Sequence, residues 1–148
     1  MTADELRSYL YREIPLSRAM EMDVVEPGPG RVVLSAPLEP NTNHRSTAFG
    51  GSVTALATLA GWVAVHSRLR EEGRKAQVVI QRGTMEYLLP VTRPFRAVCS
   101  AVDDDEWRRL RRTLDRSGKG RARLDVHIEV DGGTVGRFEG TYVAIEPR

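Results

Sequence analysis

Apolar and small residues are spaced so that they predict two helices in the first half of the chain. An apolar residue recurs at every fourth position through residues 3–13, which is typical of an amphipathic helix, and Pro15 follows as its expected end. From Gly50 to about Arg70, apolar and small residues fall on nearly every face of a helix. A helix that is apolar almost all round is enclosed by other elements, so we expect this second helix to lie at the centre of the fold.

Alternating apolar and polar positions predict strands in most of the remaining chain. Two such runs precede the long helix and four follow it, at residues 19–26, 31–38, 77–90, 95–102, 122–131 and 134–145. A short basic helix over residues 103–114 interrupts the later strands, and Gly83 marks an expected bulge. Strands on both sides of one enclosed helix predict an α+β fold, in which a curved antiparallel sheet wraps around the helix.

The length and composition predict one globular domain over residues 1–148. Apolar residue types make up 41% of the chain, which is enough for one core. The formal net charge of +2 is too small to indicate a nucleic-acid-binding protein. Residues 48–65 carry no charge, but they are rich in Gly, Ala, Ser and Thr, which favours a buried helix over a membrane span.

Cys99 is the single cysteine, which excludes an intrachain disulfide and any zinc site built from several cysteines. Its strand position, on the same face as Phe95 and Ala97, favours a small core residue over a nucleophile. The N-terminal residues contain no apolar secretory signal. We therefore expect a cytoplasmic protein that uses no metal and no other cofactor.

The densest group of polar residues lies in residues 39–49, directly before the long helix. This loop leads into Gly50 and Gly51 at the predicted helix start. The first N–H groups of a helix have no partner within the helix and carry partial positive charge, and glycine lets a ligand approach them closely. Such a helix start suits a phosphate, a carboxylate or a carbonyl that becomes an oxyanion. Alternatively, the glycines only allow the helix to begin close to the sheet.

The pattern N-x(5)-F-G-G-S-V-T-A-L-A-T-L-A-G, which begins at Asn43, resembles that of hotdog-fold acyl thioesterases. Members of the phenylacetate-pathway type carry an N-x-x-G-x-x-H-G-G loop followed by a helix of small residues. The string PNTNHRSTAFGGS, with MEYLLP at residues 85–90, is more similar to one branch: the thioesterase domain at the C-terminus of YiiD-type acetyltransferases. The resemblance covers roughly residues 10–146.

This resemblance implies both a fold and a ligand. The fold is a long helix wrapped by a six-stranded antiparallel sheet, which dimerises through sheet edges as a homodimer or a dimer of dimers. The ligand is an acyl-CoA or an acyl-carrier protein whose thioester lies at the helix start. By position, Gly51 supplies the oxyanion-hole N–H and Asn43 orients the thioester carbonyl or the attacking water. Gly50 and Ser52, at the same helix start, are expected to contact the substrate.

Two positions depart from the family pattern. Phe49 stands where related enzymes often have His, and we expect it to contact the substrate. Thr58, seven residues after Gly51, stands where they have a catalytic Asp or Glu. A threonine hydroxyl is no general base near neutral pH, although it can hold a water molecule. His44 is then a candidate base, because its ordinary pKa near 6.5 suits that role.

Each of these candidates also has a purely structural interpretation. Asn43 is a common turn former, and His44 is a solvated loop residue in the alternative interpretation. The hydroxyl of Thr58 can bond the carbonyl four residues earlier in its own helix. Tyr87 either lines the acyl pocket or packs as an ordinary strand residue. The sequence leaves these alternatives open.

A run of basic residues is the strongest charge feature of the chain: Arg108, Arg109, Arg111, Arg112, Arg116, Lys119, Arg121 and Arg123. One interpretation is a solvated helix face. Another is that Arg111 and Arg112 bind the phosphates of CoA, or that the run docks an acidic carrier protein. Nucleic acid is a weaker alternative, because Trp107 is the only aromatic residue within the run.

Together these observations predict a thioesterase that hydrolyses an acyl thioester to a free acid and a thiol. A module that binds acyl thioesters without hydrolysing them is the first alternative, because Phe49 and Thr58 depart from the pattern. A hydroxyacyl dehydratase of the same fold is less favoured, since that chemistry needs a His paired with an acid and the helix from Gly50 to Arg70 contains no acid.

Overall fold

A computed structural model describes residues 1–147, which form four α-helices and six strands. In chain order they are α1 (Ala3–Glu13), α2 (Pro15–Ala19), β1 (Asp23–Pro27), β2 (Arg31–Ala36), α3 (Gly50–Glu71), β3 (Gln77–Tyr87), β4 (Phe95–Ser100), α4 (Asp104–Ser117), β5 (Lys119–Val130) and β6 (Gly133–Ile145). A 3-10 turn at Glu39–Asn41 precedes the loop that leads into α3.

The six strands form one antiparallel sheet in the order β1-β2-β4-β5-β6-β3. Helix α3 lies against the inner face of this sheet, where it contacts every strand from β2 to β6. The side chains that alternate inward along β5 are buried against it, as their period of two predicts. The predicted arrangement of a sheet wrapped around one long helix is confirmed.

A close approach between α3 and β6 fixes the helix on the sheet. The buried Tyr142 hydroxyl donates to the backbone oxygen of Thr58 at 2.7 Å. At Gly61, one turn further along α3, a Cβ atom would lie 2.3 Å from that hydroxyl, so the contact requires glycine. Among the helices of residues 1–147, none combines the length and the apolar character needed to cross a membrane.

Two local predictions were wrong. Helix α1 ends at Glu13, before Pro15, as predicted, but Pro15 then opens the short helix α2, because proline at the first helical position loses only an N–H that would have no partner anyway. The first strand therefore begins at Asp23 rather than at residue 19. The bulge in β3 lies between Ile80 and Arg82, whereas Gly83 is regularly paired and leaves room for the Phe138 ring.

Helix α4 takes the place of a strand beside the first half of β5. Strand β4 pairs with β5 only as far as Val126, so no strand covers the earlier part of β5 on that side in the described residues. There the Glu106 carboxylate accepts the backbone N–H of Arg123 at 3.2 Å, and Gly120 lets the Leu110 carbonyl approach closely. Asp103 caps the start of α4, and Gly118 ends it in the left-handed conformation.

The two ends of the sheet are the strands β1 and β3. Strand β3 has a partner on one side only within residues 1–147, and apolar side chains are exposed along and just after it: Val79, Ile80, Tyr87, Leu88 and Leu89. An unpaired apolar strand edge is a template for pairing with another strand. The exposed edge of β3 lies directly beside the start of α3, which is the predicted site.

Candidate functional site

The loop before α3 is a closed, hairpin-like turn. The backbone N–H of Phe49 donates to the carbonyl of Asn41 at 2.7 Å, and Thr42 and Ala48 form an isolated bridge. Near its tip, the Asn43 N–H donates to the Thr47 carbonyl at 2.8 Å. These bonds hold the end of the loop, and hence the first residue of α3, in a defined position.

The side chain of Asn43 bonds to its own loop. Its Oδ1 accepts the N–H groups of Arg45 and Thr47 at 2.8 and 3.3 Å, and its Nδ2 donates to the Thr47 hydroxyl at 2.8 Å and to the Ala48 carbonyl at 3.4 Å. This is the bonding of a turn-forming asparagine. A role of Asn43 toward a substrate stays a prediction.

Asn41 anchors the loop from below, and the sequence interpretation missed it. Its side chain is 2% exposed and donates to the carbonyls of Met20 and Pro37 at 3.0 and 2.8 Å. Its Oδ1 is buried without a hydrogen-bond partner in the described residues. The sequence signal was weak, since an asparagine beside proline in a polar loop gives no indication of burial.

Two backbone N–H groups are unused where α3 begins. Phe49 occupies the N-cap position and offers no side-chain acceptor, while its carbonyl accepts the N–H groups of Ser52 and Val53 at 2.9 and 3.2 Å. Within residues 1–147, nothing accepts a hydrogen bond from the N–H of Gly50 or Gly51. A helix start with free N–H groups is a favourable environment for a developing negative charge.

Two aromatic rings flank these N–H groups. The Phe49 ring, 57% exposed, lies so near Gly51 that a Cβ atom there would be 2.4 Å from Cε2. The Tyr87 hydroxyl, at the end of β3, donates to the Gly50 carbonyl at 2.8 Å and lies 2.6 Å from the hydroxyl of Thr54. The structure thus brings Phe49, Gly50, Gly51 and Tyr87 together, and it adds Thr54.

Thr54 was not predicted, although a signal for it existed. Thr54 and Thr58 are four residues apart, so they share one face of α3. The Thr58 hydroxyl donates to the Thr54 carbonyl at 2.8 Å, which is the alternative that the sequence left open. The same hydroxyl oxygen retains lone pairs with which it can accept a hydrogen bond from water. A catalytic role of Thr58 stays a prediction.

No acid or imidazole is among the side chains that contact the helix start in the described chain. His44 lies exposed at the tip of the loop and forms no hydrogen bond with residues 1–147. Ser52 is half-buried in the first turn of α3, and its role in substrate binding stays a prediction. The site as it stands in one chain offers N–H groups, hydroxyls and aromatic surface.

Arg111 and Arg112 lie far from this site within one chain. With Arg74, they line a depression of about 640 Å³ beside the C-terminal end of α3, which also contains the carboxylates of Glu72 and Asp115. Helix α3 has 22 residues, so its two ends are separated by about 30 Å. Phosphate binding by these arginines stays a prediction.

The described chain contains neither a reactive cysteine nor a metal-binding cluster that could form a second reactive centre. Cys99 is fully buried, and burial, with a smaller effect of the Asp125 charge, raises the pKa of its thiol to about 12. The predicted core role of Cys99 is therefore confirmed. In residues 1–147, no three side chains of His, Cys, Asp or Glu are grouped so that they could hold a metal ion.

Comparison with known proteins gives a consistent result. The sequence profile of a family described as "Putative thioesterase (yiiD_Cterm)" matches residues 3–146. The chain is similar to a protein of unknown function from Chlorobaculum tepidum TLS, with 30% identity, a TM-score of 0.90, and coverage of 98% of this chain and 94% of that one. A structure described as a "putative thioesterase" from Shewanella oneidensis shares 29% identity, with a TM-score of 0.86 and coverage of 97% and 96%.

A mutant of the phenylacetic acid degradation protein PaaI from Thermus thermophilus is a more distant relative. It shares 25% identity and has a TM-score of 0.65, with coverage of 87% of this chain and 97% of that one. The long helix wrapped by a six-stranded antiparallel sheet is therefore the hotdog fold that the sequence predicted.

Proposed function

Because this chain belongs to the YiiD_C thioesterase family, we propose that it hydrolyses acyl thioesters of CoA or of an acyl-carrier protein. The observation that carries the proposal is the start of α3, where the N–H groups of Gly50 and Gly51 are unbonded between two aromatic rings. These groups are suited to a thioester carbonyl, whose oxygen gains negative charge when water attacks. The aromatic rings supply apolar surface for the acyl part.

The proposed reaction is direct hydrolysis. The oxygen of water attacks the carbonyl carbon, and the N–H of Gly51 stabilises the resulting oxyanion. The carbon–sulfur bond then breaks, and the thiolate takes up the proton that the water has lost. Asn43 orients the carbonyl or the water, and Thr58 holds the water through the oxygen that already donates its hydrogen to Thr54. His44 is the proposed base where a base is needed.

We also propose that the active form is a homodimer joined along β3. The edge of β3 is unpaired in the described chain, and Val79 and Tyr87 on it are 51% and 54% exposed. Antiparallel pairing of two β3 strands would continue the sheet and cover these side chains. The indole of Trp62 already bonds the carbonyl of Val78 at 2.8 Å, so we expect pairing over residues 79–87. Two dimers could associate further into a dimer of dimers.

A binding module without turnover is the second candidate. It is favoured by the absence of an acid or imidazole among the side chains that contact the helix start in residues 1–147. A dehydratase has less support, because α3 has no acidic residue before Glu71. We keep a cytoplasmic location as part of the proposal, in line with a lone cysteine that is fully buried.

Release of free CoA from a panel of acyl-CoAs tests the proposal. A thiol-reactive dye reports CoA release, and calorimetry on the same samples reports binding. A Gly51→Val variant purified in parallel is the control, because its side chain blocks access to the N–H group while a contaminating thioesterase would remain active. Release by wild type alone supports hydrolysis, whereas binding without release supports the binding module.

A further inference from the structure

A groove lined by cationic side chains runs between α4 and the outer face of the sheet. It consists of two adjoining cavities of about 490 and 540 Å³, which share Gln81, Glu106 and Arg121. Its cations come from three elements: Arg82 on β3, Arg109 on α4, and Lys119, Arg121 and Arg123 on β5. We call this the cationic groove. It faces away from α3 and does not include the helix start described above.

Three of the five cations form no ion pair within the described chain. Arg123 is paired with Glu139, and Arg109 lies 3.1 Å from Glu106. The side chains of Arg82, Lys119 and Arg121 form no hydrogen bond or ion pair with any of residues 1–147. Glu106 is the one carboxylate among the described residues that line the groove, and it already bonds the backbone N–H of Arg123.

The net positive charge of the side chains that line this groove exceeds the net charge of the whole chain. Five cations and one carboxylate line it, whereas the formal net charge of the chain is +2. The residues outside the groove therefore sum to a net negative charge. Lys119, Arg121 and Arg123 follow one another at every second position on one face of β5, where like charges repel, and a bound anion would offset this repulsion.

The spacing of the cations suits more than one phosphate group. Arg82 and Arg123 both pair with Thr141, from opposite sides, so their Cα atoms are about 10 Å apart across β6. Arg121 lies two residues from Arg123 on the same face of β5. Helix α4 fixes the opposite wall, because Asp103 caps it and Glu106 bonds it to β5.

The other side of α4 is less suited to phosphate, although its sequence is equally basic. There Arg74 is bonded to Asp115 at 2.6 Å and to Glu146 at 2.7 Å, and Arg111 lies 3.8 Å from Glu72. Carboxylates therefore already pair with Arg74 and Arg111 there, whereas Arg112 forms no ion pair within residues 1–147. A phosphate bound there would have to displace or approach these acids.

We propose that the cationic groove binds the phosphate groups of a phosphorylated nucleotide. Arg82, Lys119 and Arg121 would contact the phosphates, while Val143 and Thr113 on the groove wall offer apolar and polar contacts for the nucleoside. The nucleotide has two potential sources: the CoA end of the thioester substrate, or a separate nucleotide. The first source rests on the proposed function, whereas binding itself does not.

Binding is tested by calorimetry with two probes, adenosine 3′,5′-bisphosphate and inorganic pyrophosphate. The double variant Arg82→Gln/Arg121→Gln should bind both at least ten-fold more weakly than wild type. Arg12→Gln/Arg18→Gln, which removes the same charge from α1 and α2, should bind as wild type does. Binding by wild type should also weaken steeply as NaCl is raised.

Two results would overturn the inference. One is that wild type binds neither probe at low salt. The other is that Arg111→Gln/Arg112→Gln weakens binding while the groove variant does not, which would support the phosphate-binding alternative that the sequence left open for these two arginines. Thermal unfolding of each variant shows whether a loss of binding reflects a loss of folding.

Kinetics then distinguish the two sources of the nucleotide. If the groove holds the CoA end of the substrate, the groove variant raises KM for an acyl-CoA and leaves the KM for the matching acyl-N-acetylcysteamine thioester unchanged. If a separate nucleotide binds, both KM values stay unchanged while probe binding is still lost. Failure of the proposed function would appear as no hydrolysis of either thioester, and the calorimetry would still decide whether the groove binds phosphate.

Discussion

The hydroxyl of Tyr87 lies 2.8 Å from the carbonyl oxygen of Gly50, so the last residue of β3 is bonded to the first residue of α3. These two residues are far apart in sequence, and β3 is an edge strand. The bond connects the unpaired edge of the sheet to the helix start with its free N–H groups. Whatever covers that edge is therefore positioned to influence the proposed oxyanion site.

Replacing Tyr87 by Phe should reduce activity several-fold with little loss of stability. The variant keeps the ring but removes its bonds to Gly50 and Thr54, and one such bond contributes about 1 kcal/mol to folding. Tyr11→Phe is the matched control, because the Tyr11 hydroxyl bonds a carbonyl at Met22, outside the proposed site. Steady-state kinetics and thermal unfolding measure both effects. Equal kinetics for the two variants would remove Tyr87 from the site.

Two different replacements of Asn43 distinguish its proposed role toward the substrate from a structural role in the loop. Asn43→Ala should lower kcat by about 10²-fold, the scale observed when a positioned polar group is lost from an acyl-transfer site. Asn43→Asp keeps the oxygen that accepts from Arg45 and Thr47, but it loses the amide that donates to the Thr47 hydroxyl. Retained folding with lost activity in Asn43→Asp would indicate that the amide acts on the substrate.

The opposite result would identify Asn43 as a structural residue. If both variants lower the unfolding temperature, and kcat follows only the fraction of folded protein, the loop bonds account for the whole effect. Circular dichroism during thermal unfolding, recorded at the assay pH, supplies that fraction for each variant.

Much of the fold could be predicted because its signals are periodic. The strict alternation of β5 and the all-round apolar character of α3 each specify an element and its burial. The errors occurred at residues whose type is compatible with two different local structures. Pro15 is equally compatible with a helix end and with a first helical residue, and Gly83 with a bulge or with space for a neighbouring ring. Tertiary contacts decide between such uses, and the sequence does not contain them.

The site was predictable only in part, for the same reason. The sequence placed Gly50 and Gly51 at a helix start because a polar loop, two glycines and an apolar run follow one another directly along the chain. It could not place Thr54 beside Tyr87, since that contact depends on how β3 returns along α3. Likewise the sequence showed the run of basic residues, but it did not show which of them pair with carboxylates. That Arg111 lies near Glu72, and that Arg121 has no ion pair in the described residues, follows from the position of α4.

A charge on the edge of β3 should separate the proposed dimer. Val79→Lys replaces an apolar side chain that is 51% exposed by one that ends in an ammonium group, at the edge where two copies would otherwise meet. Val25→Lys is the control, because Val25 is 41% exposed on β1, the opposite edge strand. Light scattering at micromolar concentration should show a dimer for wild type and Val25→Lys, and a monomer for Val79→Lys. A monomeric wild type would contradict the proposal.

The stability of the protein should fall as the pH drops below about 6.5 because of His66. Burial, and next the charges of Arg70 and the amino terminus, lower the pKa of His66 below its ordinary value. Below the ordinary pKa of histidine, near 6.5, the His66 side chain binds a proton in the unfolded chain but resists protonation in the folded chain. The free energy of unfolding therefore decreases as the pH falls.

Replacing His66 by Phe should flatten this pH dependence. The new ring can keep the stacking on Trp62, whose ring centroid lies 4.4 Å from that of His66, and it removes the buried Nε2 that has no partner in the described residues. His44→Gln, at an exposed position, is the control. Unfolding temperatures from pH 5 to 7.5 measure the effect. An unchanged slope in His66→Phe would assign the pH dependence to other groups.

Thr58→Asp should raise activity, because it restores the carboxylate that related enzymes carry at this position. The backbone there is held independently of the side chain, since its carbonyl accepts from Tyr142 at 2.7 Å. Burial raises the pKa of a new carboxyl, so the gain should appear mainly toward the alkaline end of a pH 6 to 9 series. Thr58→Asn is the control, because it has nearly the same shape and cannot act as a base. Thr58→Ala should lower kcat less than Asn43→Ala if Thr58 only holds a water. Equal rates for the Asp and Asn variants across the pH series, with both folded, would show that position 58 supplies no base to the reaction.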